Sequence, residues 1–501
     1  MARKKGSKPI DPRSAVGRDS TKSVAENFLA VLNLPGLQYV FDRRKHPLER
    51  VSWVLVILAA IRGVLLLGQY QYARYAANPT AIQLDKNYRD WIGIMPGLTF
   101  CFHDRVDWGK ARAYLARKHP QTLESLPGGS FPVNDSAGSR YLTDFVQTLV
   151  DATATDFGNL SRFLDDTRHL PADAVDILEL ISSVHPHHDI AINSIQPATT
   201  VGAGEEVPPV HQIVTERGIC YSLNAPLSYL QRTNATERLL PSKKDFSNKQ
   251  PISCEFNRHH CYMKLDMYRS TVSYTIHSPY EVASIDQLFT NVEESDELVA
   301  VYSVLEMVAN ERLKDLTVKQ RNCFFYDETY EQLPFYSHNL CVMSCRAKRA
   351  LALCRCRPHF YPFAEGPQCT VKGLHCLQHR HPEWNSDVGC KCLKSCTDVS
   401  FYVSSLSKTQ WTSEGGIPFT HKASLRWEIL QPRTRLRRVL IFSYEDLLVS
   451  FGGAVALFIG KNGFYVSKIV EFLTIELAGW IRLKLHALQE RKRFSFRLKR
   501  Y

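Results

Sequence analysis

At 501 residues the chain is long enough for roughly two to four soluble domains, or for one large domain with membrane anchors. A composition 44% hydrophobic and 22% charged, with mean hydropathy −0.23, excludes a many-span transporter and admits one or two spans. The formal charge of +12 lies at the ends: residues 1–50 carry 11 Lys/Arg against 5 Asp/Glu, and residues 482–501 carry 8 against 1. The stretch between is near neutral, so it offers no basic face for nucleic acid.

Residues 1–27 are polar and basic, and no cleavable signal peptide is expected there. The first apolar run is VSWVLVILAAIRGVLLLGQYQYA, residues 51–73, with Arg62 its one charge. At about 1.5 Å per residue it exceeds the roughly 30 Å of bilayer hydrocarbon. Trp53, Tyr70, Tyr72 and Tyr75 stand where interfacial aromatics belong, and Arg43, Arg44, Lys45 and Arg50 place the N-terminus in the cytoplasm. A buried helix in a soluble domain is the competing reading, but such helices are rarely apolar all round for this length.

All 14 cysteines lie between Cys101 and Cys396, and the three sequons, at Asn134, Asn159 and Asn234, fall in the same segment. An even cysteine count confined with sequons predicts a disulfide framework in an oxidising compartment. Within that segment HPHHD, with His185, His187, His188 and Asp189, reads as an exposed polar loop sooner than as a metal or pH site. EEVPPV (205–210) reads as a surface loop. The acidic pairs Glu293-Glu294 and Asp296-Glu297 read as a solvated face sooner than as a proton or Ca2+ pocket.

Downstream of Cys323 the spacing runs C-x3-C at Cys341 and Cys345, C-x-C at Cys354 and Cys356, then Cys369, Cys376, C-x-C at Cys390 and Cys392, and Cys396. The second half nearly mirrors the first. Mirror spacing suits an antiparallel hairpin stapled rung by rung: Cys323–Cys396, Cys341–Cys392, Cys345–Cys390, Cys354–Cys376 and Cys356–Cys369. Spacing alone leaves the connectivity open. Paired C-x2-C knuckles of zinc sites are absent.

The second apolar run spans about residues 444–480. It is uncharged from Leu447 to Gly460, then meets Lys461-Asn462, Lys468, Glu471 and Glu476. Gly452, Ala456 and Gly460 recur at every fourth position, a smooth stripe that lets helices approach closely in lipid. FIGKNG fails as a P-loop, because Val455 and Asn462 stand where glycine and a hydroxyl are required. No nucleophile–base constellation, catalytic metal motif or nucleotide fingerprint is present, so an enzyme is not expected.

In this order, ERVSW (49–53), MPGLTFC (95–101), GICYSLN (218–224), QRNCFF (320–325), the ladder and FGGAVALFIG (451–460) resemble the degenerin/epithelial sodium channel family, above all its insect pickpocket branch. The resemblance implies an α+β membrane protein in which two transmembrane helices flank a large disulfide-rich extracellular domain with a central β-sheet and a helical thumb. It divides the chain into a cytoplasmic N-terminus (1–50), a first span (51–73), the ectodomain (74–440, thumb about 323–396), a second span (441–480) and a basic cytoplasmic tail (481–501). It supports the nested ladder and adds the pairs Cys101–Cys220 and Cys254–Cys261. It further implies a plasma-membrane homo- or heterotrimer that passes Na+ without a cofactor or bound metal, gated by protons, force or an unidentified extracellular ligand.

By the same resemblance Gly460, Lys461 and Asn462 form the filter, while Gly452, Gly453 and Ala456 pack the pore helices. Val449 and Ser450 sit at the outer mouth, and Gly36 belongs to a cytoplasmic gating element. The chain departs from the family pattern at several of these places. Lys461 replaces a small residue, Lys468 replaces a glutamate, and Pro35-Gly36 replaces His-Gly. Three ammonium groups near one axis would oppose a cation by about 4 kcal/mol per 4 Å pair at an effective dielectric of ~20. Alternatively Lys461 turns away and snorkels to the interface. Such departures suit a non-conducting or regulatory partner subunit, or a surface receptor using its Cys-rich ectodomain.

Overall fold

A computed structural model describes residues 40–41, 45–124, 131, 137–164, 172–187, 189–194, 209–233, 251–256, 260–331, 333–411, 421–459, 477, 479–482 and 484. The chain forms two units, Met1–Ala81 with Leu440–Tyr501, and Ile82–Val439.

In the first unit one helix runs Pro47–Ala77. Pro47 fills the first helical position, where its missing N–H costs nothing, and His46 Nδ1 accepts from Leu48 N at 3.3 Å. The helix exceeds the predicted 51–73 at both ends and stops at Asn78, because Pro79 disfavours α geometry at the residue before it. Among the described residues it is the one helix long and apolar enough to cross a membrane, with hydropathy 2.3 over its most apolar window, of which 6% is buried. A second helix, Tyr444–Ile459, opens on a reciprocal cap: Asp446 N donates to Ser443 Oγ (3.2 Å) while Ser443 N donates to Asp446 Oδ2 (2.9 Å).

The second unit is built on two larger sheets. In the seven-stranded sheet the long strand Asp296–Ala309 pairs antiparallel with Asp398–Gln410 and parallel with Ala423–Ile429. Its side chains alternate, with Leu298, Ala300 and Tyr302 buried, as a half-covered strand requires. The five-stranded sheet centres on Gly97–Phe102, whose six residues are all buried. Leu98, Phe100 and Phe102 from this sheet share one core with Leu265, Leu298, Leu425 and Trp427 from the other. A second core gathers apolar faces of the helices Trp108–Lys118, Ala137–Asp151, Ile177–Val184, His338–Cys354 and Val371–His379.

All seven disulfides lie in this second unit: Cys101–Cys220, Cys254–Cys261, Cys323–Cys396, Cys341–Cys392, Cys345–Cys390, Cys354–Cys376 and Cys356–Cys369. Cys341 and Cys345 lie one turn apart on His338–Cys354, so one helix face offers both to the returning segment at Cys390 and Cys392.

Two surface readings need correction. His185 is 2% exposed, at the end of the Ile177–Val184 helix with Tyr221 against its ring, so only part of HPHHD is an exposed loop. Asp296 is fully buried inside a strand, where Lys408 reaches it at 2.7 Å; Glu293 and Glu294 alone fit the solvated face.

Candidate functional site

The Tyr444–Ile459 helix has two unlike faces. Leu447, Phe451, Ala454 and Phe458 follow one another at helical spacing toward the Pro47–Ala77 helix. Gly63 and Gly68 receive the rings: a Cβ at Gly63 would lie 2.6 Å from Phe458, and one at Gly68 2.5 Å from Phe451. Any larger residue there would have to push the ring aside. On the far side stand Val449 at 75% exposure, Ala456, also exposed, and Gly452 and Gly453, whose added Cβ atoms would meet nothing within 4 Å. Ser450 lies half-buried between the two faces.

Where the helices begin and end, their flanks are stitched together. Ile441 N and Phe442 N both donate to Pro79 O, at 2.9 and 3.2 Å, and the Arg74 guanidinium sits 5.1 Å from the Phe442 ring centroid. Gly460, Lys461 and Asn462, like Gly36, Asn134 and Asn234, lie outside the described residues. Asn159 is exposed, with Ser161 Oγ donating to its side-chain oxygen at 2.7 Å.

The motifs that are distant in sequence meet in the second unit. MPGLTFC and GICYSLN pair as antiparallel strands, Leu98 opposite Leu223, and Cys101–Cys220 bridges them. Asn224 adopts φ 51°, and its amide donates to Met95 O (2.8 Å) and Pro96 O (3.0 Å) while accepting from Ile252 N (2.9 Å). The motif's asparagine thus clamps three strand ends.

Two charged anchors hold the base of the disulfide ladder, and neither has a local sequence signal. Glu281 sits at the start of the His338–Cys354 helix, accepting from His338 N (2.9 Å), Asn339 N (3.0 Å) and Ser337 Oγ. Burial, reinforced by the nearby Asp398 carboxylate, raises its pKa above the usual carboxylate range against these donors. Beside it opens a cleft of about 400 Å3, lined in part by Glu281, His338, Asp398, Tyr302 and Phe401.

Arg346, on the same helix and 2% exposed, is the second anchor. Its guanidinium reaches Glu216 at 2.8 Å, Asp286 at 2.9 Å and Asp387 at 2.8 Å, while Tyr361 OH donates to Glu216 at 2.6 Å. Burial opposes its charge, but Glu216 and its neighbours outweigh that and hold it firmly protonated. The partners lie as far as 130 residues apart in sequence, which is why sequence reading missed them.

Residues 28–472 match the family model for the amiloride-sensitive sodium channel. The chain therefore belongs to that family, one of ion channels and not of enzymes. A curated relative, the sodium channel protein Nach of Drosophila virilis, is 25% identical over 219 residues, 40% of this chain. The chain spans 57% of that relative's length. A solved proton-activated chloride channel aligns over 84% of this chain and 98% of its own, at 7% identity and a TM-score of 0.23, too slight a likeness to carry argument.

Proposed function

We propose that the chain is a subunit of a trimeric plasma-membrane channel that passes Na+ passively, with two spans, both termini cytoplasmic and an extracellular segment covering about residues 74–440. The observation that carries this reading is the two-faced Tyr444–Ile459 helix. One face is filled by the first helix of the same chain, and the other presents Val449, Gly452, Gly453 and Ala456 bare. A bare small-residue face in lipid invites close approach of like helices, and a closed ring of such helices surrounds an axis. Gly460, Lys461 and Asn462, next in the sequence, are the proposed filter. Asn462 offers an amide carbonyl to Na+. Asn134, Asn159 and Asn234 are proposed glycan acceptors, and protons, force or an extracellular ligand the gating stimuli.

Lys461 favours a second reading, a partner subunit that conducts only beside a chain with a small residue there. Whole-cell recording with surface labelling tests both, using Val449→Trp to prop the outer mouth open. A current whose reversal potential follows external Na+ supports the conducting subunit. Silence from labelled surface protein, relieved by Lys461→Ala, supports the partner subunit. Silence in both variants removes the channel reading for the chain acting alone.

A further inference from the structure

We propose that the exposed face of the Val371–His379 helix is a binding site for a divalent transition-metal ion, held by His375 and His379. The two residues are four apart and so project from the same side of the helix. Their Nε2 atoms converge to 3.1 Å, with ring centroids 4.5 Å apart. A metal about 2.05 Å from each nitrogen, the usual imidazole distance, would subtend an N–metal–N angle of about 98° at that separation. That value lies between the square-planar and tetrahedral angles, so one ion fits between the rings with little movement of either.

The helix is also a firm platform. Val371, Leu374 and Leu377 bury its other side, and Cys376 ties it to Cys354. In the free protein the 3.1 Å separation is that of one imidazole N–H donating to the other's lone pair. A metal replaces that single bond with two: the donor ring gives up its Nε2 proton and takes one up at Nδ1 through solvent, so both rings bind as neutral imidazoles. Among the described residues no third histidine, cysteine or carboxylate completes the set, so water fills the remaining positions. Two imidazoles favour Cu2+ over Ni2+ and Zn2+ by the usual divalent order. The ectodomain's disulfides leave no free thiol to compete, since all 14 cysteines are paired.

The test uses the full chain in detergent, stripped with a chelator and titrated calorimetrically with CuCl2. The wild type should bind one Cu2+ that His375→Ala or His379→Ala each weakens at least tenfold, with no further loss in the double variant. His187→Ala, which removes an exposed histidine elsewhere, should leave that binding unchanged. His379→Asp, which restores a ligand at the same place, should recover part of the affinity and so separates lost ligation from misfolding. Equal binding by the wild type and the double variant, or loss in His187→Ala alone, would overturn the proposal.

Discussion

Between Ile82 and Val439 the chain carries seven disulfides, two apolar cores and buried ion pairs, whereas the unit of residues 1–81 and 440–501 contains no cysteine. There the described helices meet through two phenylalanine rings seated on two glycines. Under the proposed topology the contrast follows from the two solvents. Water drives apolar burial in the stapled unit, and each staple adds roughly 2–4 kcal/mol by restricting the unfolded chain. Lipid supplies no such drive between helices, leaving shape and close packing to hold them. A unit held that way can change its helix contacts at little cost, as the proposed gating requires, while the stapled unit keeps its geometry.

The largest effect that would test this contrast lies at Arg346. Replacing it with methionine leaves Glu216 buried and uncompensated, and should cost about 3–5 kcal/mol. The measurement is the thermal midpoint of the stapled unit's transition together with the fraction reaching the cell surface. Adding Glu216→Gln to the same chain should restore most of the loss, because the amide removes the buried charge while its oxygen still accepts from Ile285 N and its NH2 can donate to the Tyr361 hydroxyl, which then acts as acceptor. A single variant as stable as wild type would mean that the staples alone hold this region.

Next in size is the pH dependence. His359 is fully buried with neither ring nitrogen bonded, and burial pushes its pKa down to about 3; His277, also buried, falls to about 4. Both folded-state values lie below the unfolded one near 6.5, so their contribution is present above pH 6.5 and is lost as the pH falls toward 4 and 3. At about 1.4 kcal/mol per pH unit, lowering the pH from 6.5 to 5.0 should cost about 2 kcal/mol for each histidine. Glu281 runs the opposite way, since a raised carboxyl pKa favours the folded state as pH falls. Thermal midpoints at the two pH values check this: His359→Leu should shrink the acid-side loss by about half, and an unchanged slope would remove the assignment.

What could be read beforehand divides along the same line. The ladder was legible because covalent pairing leaves its geometry in the spacing of Cys341, Cys345, Cys390 and Cys392. A long apolar helix over residues 51–73 was legible because twenty-odd apolar residues have few other uses, and Pro47 and Pro79 bound a helix longer than that run. Arg346, Glu281 and the burial of His185 were not legible. Each depends on a partner brought from 36 to 130 residues away by the fold, and no local pattern marks such a pair. Nor did the sequence reveal which side of the Gly452/Ala456 stripe would be covered, since small residues permit close contact without naming the neighbour.

The smallest changes separate the two faces of the second helix most sharply. Gly68→Leu should destabilise the helix pair by about 1–3 kcal/mol by overpacking, because its Cβ alone would intrude on Phe451. Trimming the ring with Phe451→Ala in the same chain should recover part of that loss. Gly452→Leu should leave the single chain within about 0.5 kcal/mol of wild type, since an added Cβ there meets nothing within 4 Å. If the bare face packs against like helices of neighbouring subunits, the same substitution should nevertheless abolish the cross-linked trimer while monomer yield and thermal midpoint hold. An intact trimer carrying Gly452→Leu would mean that this face looks onto lipid, and the pore would then have to be sought on another helix face.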